Sequence, residues 1–216
     1  MAHDLMLYSY FRSSAAWRAR IALNLKGLKP DYRFVHLLKD DQHSAEYRHV
    51  NPQQLVPTLV DGRHTIAQSL AIIEYLDETH PEPPLLPKDA AGRARARQIA
   101  YAIACDIHPI NNLRVLHYLR DEFQLSDEQR MQWQRHWIAQ GFDAIEKLIS
   151  QSKATGRYCH GDMPTIADIC LIPQMANARR VHVELTAFPT LLHIEETALA
   201  HPAFAAARPE VQPDAQ

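Results

Sequence analysis

An N-terminal α/β domain with element order βαβαββα, followed by an all-α C-terminal domain, is the fold class this sequence predicts. Three observations carry the prediction. Strand-like and helix-like apolar patterns alternate through residues 1–80, prolines crowd residues 81–87, and only helical periodicity follows. A chain of 216 residues is longer than one typical domain but short for two full-sized ones, which fits a pair of small or unequal domains.

Residues 5–10 form a short apolar and aromatic run suited to a buried strand. Trp17, Ile21, Leu25 and Leu28 then recur at the spacing of one helix face. Gly27 and Pro30 are stop residues for that helix, and Tyr32-Arg33-Phe34-Val35 follows as a second strand, giving a parallel pair with a right-handed crossover. After a polar stretch, residues 56–60 and 63–66 read as a hairpin around Asp61-Gly62. Ser69 is placed to cap a helix whose core side includes Leu70, Ile73 and Leu76. The order βαβαββα, with a proline just before the third strand, is that of a thioredoxin-like domain. Pro81, Pro83, Pro84 and Pro87 allow no regular element, so 1–80 is read as the first domain, 81–88 as a linker and 89–216 as the helical domain. Within the last, Ile99, Ile103, Ile107 and Ile110 form one stripe, and Ile138, Gly141, Phe142, Ile145, Leu148 and Ile149 another. Pro109 is expected to bend the first of these helices, because its ring nitrogen cannot donate to the carbonyl of Cys105. Thr165 and Asp168 have the spacing of a capping box.

The formal charge is only -2 and the basic residues are dispersed, so nothing resembles the positive face of a nucleic-acid binder. The N-terminus lacks the pattern of a signal peptide, and no apolar run approaches the length of a bilayer span, so no membrane partner is expected. Cys105, Cys159 and Cys170 are an odd set without CxxC spacing, which points to a reducing compartment and a cytoplasmic location. Cys105 and Cys170 lie in apolar helical stretches where a small buried cysteine is commonplace. Cys105-x-x-His108 is too little for a structural zinc site, and no metal is expected.

Ser13 and Ser14 stand where the first strand turns into the first helix. A helix start offers unpaired amides and the positive end of the dipole, which stabilise a thiolate or carboxylate; equally, either serine suits a simple cap. Three segments of the first domain set the wider context: Tyr8-Ser9-Tyr10-Phe11-Arg12-Ser13-Ser14, Asn51-Pro52-Gln53-Gln54-Leu55-Val56-Pro57-Thr58-Leu59, and Gln68-Ser69-Leu70-Ala71-Ile72-Ile73-Glu74-Tyr75-Leu76. The helical half adds Pro109-Ile110-Asn111-Asn112-Leu113, Gly161-Asp162-Met163-Pro164-Thr165, and Pro173-Gln174-Met175-Ala176-Asn177-Ala178-Arg179-Arg180, and the pattern reaches Gln212-Pro213-Asp214. In this order and spacing, nearly the whole chain resembles the zeta-class glutathione transferases.

That resemblance implies the glutathione transferase fold, glutathione as cofactor and a homodimer formed through the first two helices of the helical domain. It also implies cis-trans isomerisation of maleylacetoacetate, a dicarboxylic keto acid of tyrosine and phenylalanine degradation. Maleylpyruvate isomerisation, a general transferase or dehalogenase activity, and a non-catalytic binding module are the alternatives. The implied reaction adds a thiolate to the double bond, lets the resulting single bond rotate, and eliminates the thiolate again. By resemblance Ser13 donates to the glutathione sulfur, Pro57 is a cis-proline presenting the backbone of Val56, and Gln68 and Ser69 receive the γ-glutamyl carboxylate. Arg12 and Arg180 grip the substrate's oxygens, as planar guanidinium groups do. Ser14, Ala15, Gln42, Gln54, His108, Asn112 and Arg114 complete the implied cofactor site, although Arg114 reads as readily as a solvated helix residue. One departure stands out: the family's serine-serine-cysteine reads Ser13-Ser14-Ala15 here, so an enzyme thiol at that spot is ruled out and the nucleophile is bound glutathione itself.

Overall fold

The structure, a computed structural model, describes residues 5–215. By contact it falls into two units, one holding the described residues up to Leu85 together with those from Ala200 onward, the other Leu86–Leu199.

In the first unit the order is β1 (Leu5–Ser9), α1 (Ser14–Leu25), β2 (Asp31–Phe34), two short 3-10 turns, α2 (Ala45–Val50), β3 (Thr58–Asp61), β4 (His64–Ala67) and α3 (Ser69–Thr79). This is the expected βαβαββα series. The sheet runs β2-β1-β3-β4, with β1 parallel to β2 and antiparallel to β3, and β3 antiparallel to β4. Alternation along β1 buries Leu5, Leu7 and Ser9. Leu7 and Leu59 share the core with Ile21 and Leu23 of α1 and Ile72 and Leu76 of α3, all fully buried. Burial of that much aliphatic surface is the main force holding the unit together.

Local rules explain where these elements stop. Gly27 adopts φ 68 and donates to the carbonyl of Asn24 at 3.1 Å while Leu28 donates to Leu23 at 2.9 Å, the paired bonds of a Schellman motif. In the hairpin, Asp61 pairs with His64, so the two-residue loop is Gly62-Arg63, one residue later than expected. Gly62 takes the positive φ of 55 that opens the loop, and Asp61 is thereby kept in the ladder. Ser69 does not cap α3: Gln68 at φ 72 holds the cap position, and its carbonyl accepts the first helical bond from Ile72 at 3.0 Å. The chain turns one residue early, which leaves Ser69 as the first helical residue.

The second unit contains α4 (Ala90–Tyr101), which runs into a π-helical turn at Ala102–Ile107 and a 3-10 turn at Pro109–Asn111, then α5 (Leu113–Asp121), α6 (Asp127–Ser150), α7 (Ile166–Arg180) and α8 (Pro189–Leu199). Pro109 does not bend a continuous helix. The ladder widens before it, with His108 donating to Ile103 five residues back at 2.9 Å, and the proline then opens a separate turn. Ile103 and Ile107 are buried, and Cys105, two positions from each, lies on the opposite side of the helix, so that cysteine is exposed and not part of the core. On α6 the apolar stripe buries Ile138, Phe142, Ile145 and Ile149. No helix among the described residues is long and apolar enough to cross a membrane.

The start of α7 is a buried capping box. Asp168 accepts from the Thr165 amide at 2.8 Å and hydroxyl at 3.0 Å, and from the Cys159 amide at 2.8 Å. Burial pushes its carboxyl above the ordinary carboxylate value against the pull of these donors. In Asp168→Ala two buried amides lose their acceptor. Denaturant unfolding should show a loss of about 1 to 3 kcal/mol; a change below a few tenths would mean that water replaces the carboxylate.

Beyond α8 the chain joins the first unit. α9 (Pro202–Ala205) packs against α1, where Asn24 donates to the Ala203 carbonyl at 2.9 Å and Arg20 to that of Ala207 at 3.1 Å. Contact therefore divides the chain differently from the 89–216 boundary, because buried α1 side chains supply the hydrogen bonds that this segment's backbone needs.

Candidate active site

Ser13 is the N-cap of α1. Its amide donates to the Tyr10 carbonyl at 3.0 Å, which closes the turn out of β1, and its Oγ accepts from the Ala16 amide at 3.2 Å. Capping occupies an acceptor site on the hydroxyl and leaves the O–H to donate elsewhere, so cap and sulfur donor are compatible roles. Ser14 is the buried first residue of the helix, Ala15 is half-buried, and Arg12 is exposed beside them. The first-turn amides and a hydroxyl stand at one helix start, with Arg12 next to them in sequence, a setting that favours an anion.

Ahead of β3 the Val56-Pro57 peptide is cis. The segment before it is pinned: the Leu55 carbonyl accepts from Tyr47 Oη at 2.6 Å and from Asn51 Nδ2 at 2.8 Å. Gln54, at φ 57, contacts His43 Nδ1 through its Oε1 at 2.6 Å, and the buried Gln42 donates to Asp40 at 3.3 Å. At the start of α3 the exposed Gln68 side chain donates to Gln53 Oε1 at 2.8 Å, while Ser69 Oγ, buried, lies 3.5 Å from Arg18 Nη1. Arg18 is itself 1% exposed. A buried guanidinium at a helix N-terminus adds a full positive charge to the dipole there, which suits a carboxylate.

In the second unit His108, half-buried, ends the π-helical turn. Asn112 caps α5 by accepting from the Arg114 amide at 3.2 Å, so it has a structural use, and Arg114 is exposed on the first turn. Arg180 is the last residue of α7, exposed, with Nη2 bonded to Asn177 Oδ1 at 3.0 Å. Its neighbour Arg179 is tied instead to the buried Glu195.

Sequence patterning passed over Arg18 and Gln53. Arg18 sits one residue from Trp17 in a helix that is buried nearly all round, and a buried charge in such a helix is a usable signal only once the burial is known. Gln53 meets Gln68 across 15 positions, a pairing made by the fold.

The residues present fit a cysteine-containing tripeptide. One helix start bears a hydroxyl suited to a thiolate, a second bears a hydroxyl backed by a buried arginine and suited to a carboxylate, and the Val56-Pro57 cis peptide leads into β3. Residues 7–84 match the family model "Glutathione S-transferase, N-terminal domain", and residues 126–208 match "Glutathione S-transferase, C-terminal domain". The chain is 48% identical over 214 residues to a probable maleylacetoacetate isomerase of Vibrio cholerae, covering 98% of this chain and 99% of that protein. It superposes with a TM-score of 0.96 and 45% identity, over 98% of this chain and 100% of the other, on the holo structure of a maleyl pyruvate isomerase, a bacterial zeta-class glutathione S-transferase. A maleylacetoacetate isomerase of Methylobacterium extorquens with bound malonate and glutathione is similar at a TM-score of 0.95 and 40% identity, over 98% of this chain and 99% of that one.

Proposed function

We propose, from the premise that this chain belongs to the glutathione S-transferase family, that it is a glutathione-dependent cis-trans isomerase converting maleylacetoacetate to fumarylacetoacetate. The observation that carries this reading is likeness along the whole chain, at 48% identity, to a protein named for that activity. The start of α1 supports it, since its hydroxyl and first-turn amides suit a thiolate.

Glutathione supplies the nucleophilic thiol; position 15 is alanine, so the chain offers no thiol of its own there. Ser13 donates a hydrogen bond from its hydroxyl to the sulfur, and the positive end of α1 favours the thiolate over the thiol. Ser69 and the first amides of α3 hold the γ-glutamyl carboxylate, with the buried Arg18 behind Ser69 and Gln68 braced by Gln53 beside it. The backbone of Val56 pairs with the cysteinyl residue as an added strand would. Gln42, Gln54, His108, Asn112 and Arg114 are assigned to the rest of the cofactor site by resemblance alone. Arg12 and Arg180 bind the substrate's carboxylates and take up the negative charge that builds on its carbonyl oxygen. Homodimeric assembly and a cytoplasmic location belong to the same proposal; the family resemblance and the commonness of closed two-fold dimers support the first, and the cysteine pattern the second.

Maleylpyruvate isomerisation is the second reading, favoured by the TM-score of 0.96 to an enzyme so named. Turnover of both substrates with and without glutathione separates the two. Maleylacetoacetate should be preferred by about tenfold or more in kcat/KM, a difference of about 1.4 kcal/mol in transition-state binding, with both rates collapsing when glutathione is omitted. Preference for maleylpyruvate would move the chain to the second reading, and a rate indifferent to glutathione would remove both.

A further inference from the structure

The turn that carries Arg12 and Ser13 is held from outside by a segment nearly two hundred positions further along the chain. The amide of Phe11 donates to Asp214 Oδ2 at 2.8 Å, and the carbonyl of Phe11 accepts from Arg20 Nη2 at 3.0 Å. Both polar groups of this one residue's backbone are therefore bound by side chains, one residue before Arg12 and two before Ser13. Arg20, 1% exposed, also donates from Nη1 to Ser9 Oγ at 3.2 Å and to the Tyr10 carbonyl at 3.4 Å, and from Nε to the Ala207 carbonyl at 3.1 Å. Gln212, buried, donates to the carbonyls of Ala206 and Arg208 at 3.0 and 2.8 Å and so fixes the bend that brings Asp214 back to the turn.

This arrangement costs more than simple packing needs. A guanidinium taken out of water loses hydration, and burial lowers the pKa of Arg20 to about 10. Fixing the end of β1 by itself would need only apolar contacts. What the buried fork and the carboxylate add is directional control of the two peptide planes that flank Phe11: Asp214 and Arg20 Nη1 bind the amide and carbonyl of the 10–11 peptide, and Arg20 Nη2 binds the carbonyl of the 11–12 peptide. Both planes lie within the turn closed by Ser13 and Tyr10, so a rotation at Phe11 is passed to the hydroxyl of Ser13 and to the start of α1.

We propose that Asp214 and Arg20 are positioning residues for the thiol site, bracing the Tyr10 to Ser13 turn so that the Ser13 hydroxyl and the α1 amides face the sulfur. The proposal rests on the glutathione-dependent reading above and goes beyond it by giving the 200–215 segment a part in the chemistry. Asp214 touches neither Ser13 nor the reacting atoms and acts through Phe11.

The test compares the full-length protein with Asp214→Ala and Asp214→Asn, the asparagine keeping a carbonyl that can accept from Phe11. Amide hydrogen exchange in the ligand-free proteins reads the brace itself. Exchange at Phe11, Arg12 and Ser13 should speed up by about tenfold or more in the alanine variant, as expected for a local opening made easier, and by clearly less in the asparagine variant. The thiol pKa of bound glutathione reads the consequence. It should rise by about half a unit to one unit in Asp214→Ala, with kcat down by about three- to tenfold and KM for the electrophile changed by less than about twofold. A generic electrophile serves for this arm, so the identity of the natural substrate does not enter. Wild-type thiol pKa and wild-type exchange at the turn in Asp214→Ala would overturn the proposal, as would a fall in kcat that only tracks the folded fraction. If the wild-type protein binds no glutathione, the functional reading fails, and the exchange comparison still decides whether Asp214 braces the turn.

Discussion

Arg180→Ala should lower kcat/KM for maleylacetoacetate by tenfold to about a thousandfold, corresponding to the loss of about 1.5 to 4 kcal/mol of charged hydrogen bonding in the transition state. The substrate is a dianion, and further negative charge gathers on its carbonyl oxygen as the thiolate adds. A fixed cation favours that charged state selectively and so lowers the barrier, not merely the binding energy. Arg180 lies at the C-terminal end of α7 with Nη2 on Asn177 Oδ1 at 3.0 Å, a bond that limits the rotation of the fork. Arg180→Lys should recover only part of the rate, because a point charge cannot contact both oxygens of a carboxylate. Steady-state kinetics of the two variants decides it, and full activity in Arg180→Ala would take this residue out of the site and weaken the choice of substrate.

Loss of the Ser13 hydroxyl is the second large effect. Ser13→Ala should cut kcat by about ten- to a hundredfold, with a smaller change in glutathione affinity, because a hydrogen bond to a charged sulfur contributes about 1.5 to 3 kcal/mol. Ser13 is also the cap of α1, so the same substitution removes the bond from Ala16 and should cost about 1 kcal/mol of stability. Glycine separates the two roles, since it replaces a capping serine at a cost of only about a few tenths of a kcal/mol. Ser13→Gly should therefore be nearly as stable as wild type and nearly as inactive as Ser13→Ala, while Ser13→Thr keeps most of both. An unchanged thiol pKa of bound glutathione in Ser13→Gly would show that the hydroxyl serves the helix and not the sulfur.

The strands and helices were legible because each obeys a local rule. Leu5 to Tyr10 is a short apolar and aromatic run, Ile138, Phe142, Ile145 and Ile149 follow the helical period, and Thr165 with Asp168 forms its cap from residues three apart. The errors lie where local rules compete. Asp61-Gly62 and Gly62-Arg63 are both acceptable turns, and only the pairing of Asp61 with His64 chooses between them. Ser69 is a better cap by composition than Gln68, yet the backbone at Gln68 turns first. Cys105 lies within an apolar stretch, yet two positions from both Ile103 and Ile107 it falls on the opposite side of the helix and is exposed.

The same division holds for the site. Residue type, order and spacing gave the order of elements and, through the resemblance they carry, the family and the candidates Arg12, Ser13, Gln68 and Ser69; of these, Ser13 and Ser69 are also marked by a local rule, as candidate helix caps. Tertiary structure alone decided which distant groups meet: Arg18 with Ser69, Gln53 with Gln68, and Asp214 and Arg20 at the amide and the carbonyl of Phe11. Periodicity and capping are interactions among near neighbours, so they leave a trace at fixed intervals along the chain. A hydrogen bond between positions 11 and 214 depends on the closure of the whole first unit around α1, and no interval in the sequence records it.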